Sequence, residues 1–180
     1  MYHERQRWSF CGVHAVNNLL QQAKYDKASF DQVCETLAQD ASKYWNPHRS
    51  PLGIGNYDAN VLCVILEQHE GYTVQWHDAR KEMTQQTLDD YFGDATAATS
   101  TKCGIVVNLP STSLWGRLTK GRHWIALLWF PDKGEWYNLN SDLKEPTVVG
   151  DMEACATLLQ AWGQDNKDNC HIILARKLKK

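Results

Sequence analysis

Cys11 stands in the run YHERQRWSFCGVHAVNNLL, where a polar segment gives way to a helical spacing of apolar residues, with Gln6 a few positions before it and His14 one turn after. Such a thiol is either a small hydrophobe entering the core or a nucleophile at a helix N-terminus. There the positive end of the dipole and the unpaired N–H groups favour thiolate over thiol. A cysteine nucleophile needs a base for its proton and a third group that holds the imidazole in one tautomer. Both residue types occur in RHWIALLWFPDKGEWYNLNSD. A turn centred between Asp132 and Lys133 sets Phe130 opposite Glu135 and carries the register back toward His123 and Asp142. Alternation then puts Asn138, Asn140 and Asp142 on the face of His123, with Asn140 its diagonal neighbour; a His/Asn pair and a His/Asp pair both fit. Gln6 is placed to donate its amide to the oxyanion formed when a thiolate attacks a carbonyl.

Each of these residues also has a plainer role. A cysteine at a helix start, taken alone, is more often packing than catalysis. His14 offers a second base or half of a metal pair, but its helical position favours a structural hydrogen bond, and no second pair of ligands stands at metal-site spacing. His3, His48, His69, His77 and His171 read as surface or internally satisfied polar groups, and Trp124, on the face opposite His123, reads as core.

The elements that must position these groups follow from periodicity. Val13, Val16, Leu19, Leu20 and Ala23 define a helix from Cys11 to about Ala23 with Ser9 as its N-cap. Ser29 and Gln32 suggest a capping box before a stripe of Phe30, Val33, Cys34 and Leu37, which makes Cys34 core. The Pro- and Gly-rich NPHRSPLGIGNYD is a loop, after which Asp58 or Asn60 caps a helix through Val61, Ile65 and Leu66 and enclosing Cys63. YTVQW reads as a strand and TQQTLDDYF as a short helix. In the second half, CGIVVNL, HWIALLWF, EWYNLN and CHIILARKL are strand-like, and a helix from Met152 to Trp162 precedes the last. Helices first and strands later, joined by short turns, predict an α+β fold with N-terminal helices packed on a C-terminal antiparallel sheet.

Bulk properties narrow the function class. The 180 residues are 43% hydrophobic and 22% charged, which suits one globular domain over 1–180 with a sizeable core. A net charge of −2 argues against a general nucleic-acid binder. The six cysteines are widely spread with no C-x-x-C pair, which excludes zinc-ribbon and thioredoxin chemistry. The start of the chain does not read as a signal peptide and no apolar run is long enough to span a bilayer, so reduced thiols in a cytoplasmic protein are expected. The basic ARKLKK end is too short to serve alone as a lipid anchor and leaves membrane association open.

HERQRWSFCGVHAVNNLLQ together with RHWIALLWF and EWYNLNS resembles the Josephin family of cysteine-type deubiquitinases, over essentially the whole chain. The combination of a glutamine, C-x-x-H-x-x-N-N-L-L, a later H-W and N-L-N-S is far more restrictive than any one part. NPHRSPLGIGNYD and NLPSTSLWGRLTKGRHW look like the short Josephin-only proteins rather than the ataxin-3 type. The resemblance implies a papain-like fold and assigns Cys11 as nucleophile, His123 as general base and acid, Asn140 as the residue orienting the imidazole and Gln6 as the oxyanion-hole side chain. It further implies hydrolysis of the bond after the ubiquitin C-terminal glycine through a thioester acyl-enzyme. Ubiquitin and its chains would be the partners of a monomeric protein, with no metal, organic cofactor or nucleic acid. The rival expectations are a catalytically silent ubiquitin-binding module of the same fold and a papain-like amidase acting on another acyl group. In the connector from Pro110 to Arg122 the large apolar residues Leu114 and Trp115 are read either as a staple onto the core or as a substrate lid.

Overall fold

The computed structural model describes residues 1–38, 46–50, 55–93, 101–111, 121–166 and 170–178. The first helix, α1 (Cys11–Leu20), begins at the expected cysteine, but its N-cap is Phe10 and no side chain caps it. Ser9 is unavailable because its backbone forms a parallel bridge with Gly55 and its carbonyl accepts the Asn56 N–H at 3.0 Å. Gly55 has to be glycine there: its φ is +100°, and a Cβ would come within 2.3 Å of the Ser9 carbonyl oxygen. The helix ends earlier than its apolar spacing suggests, at Leu20, with Gln21 left-handed. The Asn17 side-chain oxygen accepts the N–H groups of Lys24 and Tyr25, at 3.1 and 2.9 Å, and so turns the chain away.

Helix α2 (Lys27–Leu37) buries Phe30, Val33 and Cys34 as anticipated, but its capping box is one turn earlier than expected. Asp26 is the N-cap, and Ser29 is its N3 partner. The Asp26 carboxylate accepts the Ser29 N–H at 2.9 Å while the Ser29 hydroxyl accepts the Asp26 N–H at 2.8 Å. The sequence D-K-A-S thus satisfies two orphan N–H groups before S-F-D-Q can. Helix α3 (Ala59–Val64) is capped by Asp58, one of the two residues proposed, and widens into a π turn over Ile65–His69.

The strands β1 (Thr73–Asp78), β2 (Thr101–Pro110), β3 (Arg122–Phe130), β4 (Glu135–Asn138), β5 (Thr147–Gly150) and β6 (His171–Leu178) form one six-stranded antiparallel sheet, ordered β1-β6-β2-β3-β4-β5. The α+β arrangement of helices on an antiparallel sheet therefore holds, with two refinements. Edge strand β1 comes from the middle of the chain, and β5, four residues long, has too little alternation to stand out in the sequence. Helices also cover both faces. Val106, Ala126, Leu128, Ile173 and Ala175 pack toward α1, α2 and α3. Ile105, Val107, Ile125, Leu127, Ile172 and Leu174 pack on the other face, under α4 (Gln85–Phe92) and α5 (Met152–Asp165). Burial on both faces is why the central strands read as nearly continuous apolar runs.

The β3–β4 register pairs Phe130 with Glu135 and Leu127 with Asn138, as the turn chemistry required. The ladder does not continue to His123, however. After Leu139 donates to the Ala126 carbonyl at 2.8 Å, the chain leaves the sheet in a turn closed by the Leu143 N–H on the Asn140 carbonyl at 3.0 Å.

Candidate active site

Helix α1 is buried along its whole length, so its polar residues need internal partners. His14, Asn17, Asn18 and Gln21 recur at i, i+3, i+4 and i+7 and bind the N-terminal segment. His14 Nδ1 lies 2.6 Å from the Glu4 carboxylate, and its Nε2 accepts the Arg7 N–H at 3.2 Å. Asn17 donates to the other Glu4 oxygen at 2.9 Å, and Asn18 accepts the Glu4 N–H at 2.6 Å. Gln21 brackets the Tyr2 backbone, accepting its N–H at 2.9 Å and donating to its carbonyl at 3.0 Å. Burial raises the Glu4 carboxyl, yet the bonds from His14, Tyr2 and Asn17 more than offset it and leave the group below the usual carboxylate range. Both nitrogens of His14 are therefore engaged in structure, as its helical position predicts. This polar stripe holds the segment that carries Gln6 against the helix that carries Cys11.

Cys11 is 3% exposed, and its thiol points to the Arg122 carbonyl at 3.9 Å. Burial pushes the thiol up to about 11; the backbone N–H groups of Trp124 and Gly12 act in the opposite sense, and the Asp142 charge adds to the rise. Desolvation outweighs the helix terminus here, contrary to the thiolate preference read from the sequence, because an anion inside the packed junction loses more hydration than a few N–H dipoles return.

His123 lies at the start of β3, between Arg122 and Trp124, whose backbone groups face the Cys11 sulfur. It is 8% exposed, and its Nε2 stands 2.6 Å from Asn140 Oδ1. The same oxygen accepts the Asp142 N–H at 2.9 Å, which fixes the orientation of the Asn140 amide. An acceptor facing Nε2 places the neutral ring's proton on that nitrogen and leaves the Nδ1 lone pair available. The Asp142 carboxylate is 3.5 Å from Nε2 and about half exposed. Asn138 accepts the Asn140 N–H at 2.9 Å and so shapes the turn. Of the three residues left open by strand parity, Asn140 and Asp142 meet the imidazole and Asn138 is engaged by the Asn140 backbone.

Gln6 is held by the same turn. Its N–H donates to the Ser141 carbonyl at 2.7 Å, its Oε1 accepts the Ser141 hydroxyl at 2.8 Å, and its Nε2 donates to the Trp8 carbonyl at 2.6 Å. Trp8 has φ 51° and is 83% exposed. Two residues of this neighbourhood were missed in the sequence. Ser141, 2% exposed, was visible only as the last letter of N-L-N-S. His3, expected to be a surface or satisfied polar residue, is satisfied at the site itself, with its Nε2 3.0 Å from the Asn140 carbonyl; nothing in its sequence context names that partner.

The remaining candidates are dispersed. Trp124 is core, with its indole N–H on the Tyr57 carbonyl at 2.9 Å. His48 pairs with Asp58 at 2.8 Å, and His171 packs edge-on against Trp76. His77 departs from its satisfied reading, since its buried Nε2 has no hydrogen-bond partner among the described residues. Leu114 and Trp115 lie outside the described residues. Among the described residues, no group of three His, Cys, Asp or Glu side chains is placed to hold a metal ion.

The family model for Josephin matches residues 6–172, a span that contains all four residues of the Gln6, Cys11, His123 and Asn140 set. Josephin-2 of Mus musculus and Josephin-2 of Homo sapiens are each 39% identical over 164 residues, covering 89% of this chain and 79% of theirs. A Josephin-like protein of Drosophila melanogaster is 36% identical over 169 residues, covering 89% of this chain and 69% of its own length.

Proposed function

The chain belongs to the Josephin family, whose members are generally cysteine-protease-like deubiquitinases with an α+β, papain-like fold, and from that premise we propose that it hydrolyses the isopeptide bond after the ubiquitin C-terminal glycine. The observation that carries this reading is the His123–Asn140 pair, 2.6 Å apart, on the strand whose Arg122 carbonyl and Trp124 N–H meet the Cys11 sulfur on either side of His123. In this mechanism Nδ1 of His123 takes the Cys11 proton as the sulfur attacks the glycine carbonyl. A base is required because burial works against the Cys11 thiolate. The oxyanion accepts an N–H of Gln6, and the tetrahedral species collapses to a thioester as His123 returns the proton to the leaving lysine amine. Water, deprotonated by His123, then attacks the thioester and releases the ubiquitin carboxylate and the thiol. Asn140 acts through the ring, holding the tautomer that keeps Nδ1 basic.

The proposal extends to the rest of the chain. Residues 1–180 form one catalytic domain that works as a monomer, on ubiquitin and its chains, without metal or organic cofactor. All six cysteines are free, which supports a reducing, cytoplasmic setting. Among the described residues no helix is long and apolar enough to cross a membrane.

The test uses ubiquitin bearing a C-terminal electrophile, read by intact mass with peptide mapping. An adduct on Cys11 is expected. Binding of ubiquitin without an adduct would instead make the protein a silent ubiquitin-binding module, and neither binding nor adduct would point to an amidase of another acyl group.

A further inference from the structure

We infer that Ser141 is a positioning residue for the oxyanion donor, a role that rests on the reading of the site given above. A primary amide is a usable oxyanion donor only if its N–H groups, and not its oxygen, face the reacting carbon. The Gln6 side chain could satisfy its environment with the amide turned either way, because oxygen and NH2 are nearly isosteric. Two contacts remove that freedom together: the Trp8 carbonyl, which can only accept, selects the NH2 edge, and the Ser141 hydroxyl, donating to Gln6 Oε1 at 2.8 Å, holds the oxygen edge. The Ser141 carbonyl accepts the Gln6 backbone N–H at 2.7 Å, which fixes the main chain beside it. Ser141 is 2% exposed, so bulk water does not replace its hydroxyl without cost. On the other side of the amide, one Nε2 hydrogen goes to the Trp8 carbonyl at 2.6 Å, so the second is the one left for an oxyanion.

The contact also joins the two halves of the machinery. Ser141 follows Asn140 directly, and the turn they share is gripped from the N-terminal side three times. His3 Nε2 meets the Asn140 carbonyl at 3.0 Å, the Asn18 amide donates to the Leu139 carbonyl at 2.9 Å, and Gln6 takes both groups of Ser141. The turn that orients the base therefore also orients the oxyanion donor, and a shift in one moves the other.

The experiment compares Ser141→Ala and Ser141→Thr in the parent and Gln6→Ala backgrounds, on a fluorogenic ubiquitin substrate. Ser141→Ala is expected to lower kcat about tenfold with KM unchanged, the size of one lost hydrogen bond expressed in the transition state. Ser141→Thr keeps the hydroxyl and is expected to restore most of the loss. In the Gln6→Ala background Ser141→Ala should add less than twofold, whereas additive losses, or a loss confined to KM, would overturn the assignment. The side-chain amide signals of Gln6 in a proton–nitrogen spectrum read the contact without turnover. They should move in Ser141→Ala and return in Ser141→Thr, and signals indifferent to both variants would overturn the role. Because that readout needs no hydrolysis, an inactive parent protein would count against the deubiquitinase reading and leave the contact separately decided.

Discussion

His123 Nε2 and Asn140 Oδ1 stand 2.6 Å apart, and the Asp142 carboxylate lies 3.5 Å from the same ring nitrogen. The imidazole thus has a neutral partner at hydrogen-bond distance and a charged one just beyond it. Removing Asn140 leaves the Nε2 proton an acceptor within a small side-chain adjustment. Asn140→Ala is expected to lower kcat/KM only about tenfold, and Asp142→Ala about twofold. The double variant should lose more than the product of the two. Steady-state kinetics on a ubiquitin substrate decides this, and simple multiplicativity would mean that Asp142 never substitutes.

Cys11→Ala and His123→Ala should each reduce hydrolysis to background, because each removes a group that acylation needs. Thermal unfolding should stay near that of the parent for Cys11→Ala, where little more than one sulfur atom is removed. Turnover comparable to the parent from a well-folded Cys11→Ala protein would overturn the protease reading.

Gln6→Ala is expected to cost on the order of 10²-fold in kcat with ubiquitin affinity nearly unchanged. Parallel titration calorimetry and kinetics separate the two effects. A loss seen only in affinity would move Gln6 from oxyanion stabilisation to recognition.

Alkaline pH should destabilise the fold. Burial raises Cys11, Cys63 and Cys170 from the ordinary 9.0 to about 11, and Cys34 and Cys103 to about 12, with Cys155 higher still. The unfolded chain therefore releases these protons first, so above roughly pH 9 it binds fewer protons than the native state and unfolding becomes easier. The stability is fully present below the unfolded value and is lost as pH rises through the folded ones. Urea midpoints at about pH 7.5 and pH 10 should fall in that order; a midpoint that is flat or rises would refute the burial argument.

Gly104→Ala tests the seat of α1. A Cβ at this position on β2 would lie 2.9 Å from both Cγ and Cδ1 of the fully buried Leu19. Overpacking of this kind costs about 1–3 kcal/mol, to be read from the denaturation midpoint at constant slope. Activity should fall too, since Leu19 belongs to the helix that begins at Cys11; an unperturbed protein would show that the helix floats freely over the sheet.

Much of the framework was legible because its signals are local. Turn chemistry and alternation suffice for the Phe130–Glu135 register, and the apolar stripe of α2 suffices to bury Cys34. Asp58 could be read as a cap from its position before an apolar run. Local signals failed where a second use of the same residue competed. Ser9 was lost as a cap to its bridge with Gly55, and Ser29 became the third residue of an earlier box.

The sequence by itself determined the residue types of the site, the α+β class and, through the spacing of its motifs, the family. Strand parity left Asn138, Asn140 and Asp142 open and the family resemblance pointed to Asn140; tertiary structure showed that Asn140 and Asp142 both meet the imidazole, since β4 ends at Asn138 and the following turn no longer obeys strand parity. It also decided that Gln6 is bound to Ser141, 135 residues away, and that burial raises the Cys11 thiol despite its helix terminus. The physical reason is the same in each case. Periodicity and capping are fixed by neighbours along the chain, whereas desolvation and hydrogen bonds between distant segments exist only once α1, the sheet and the turn after β4 have packed together.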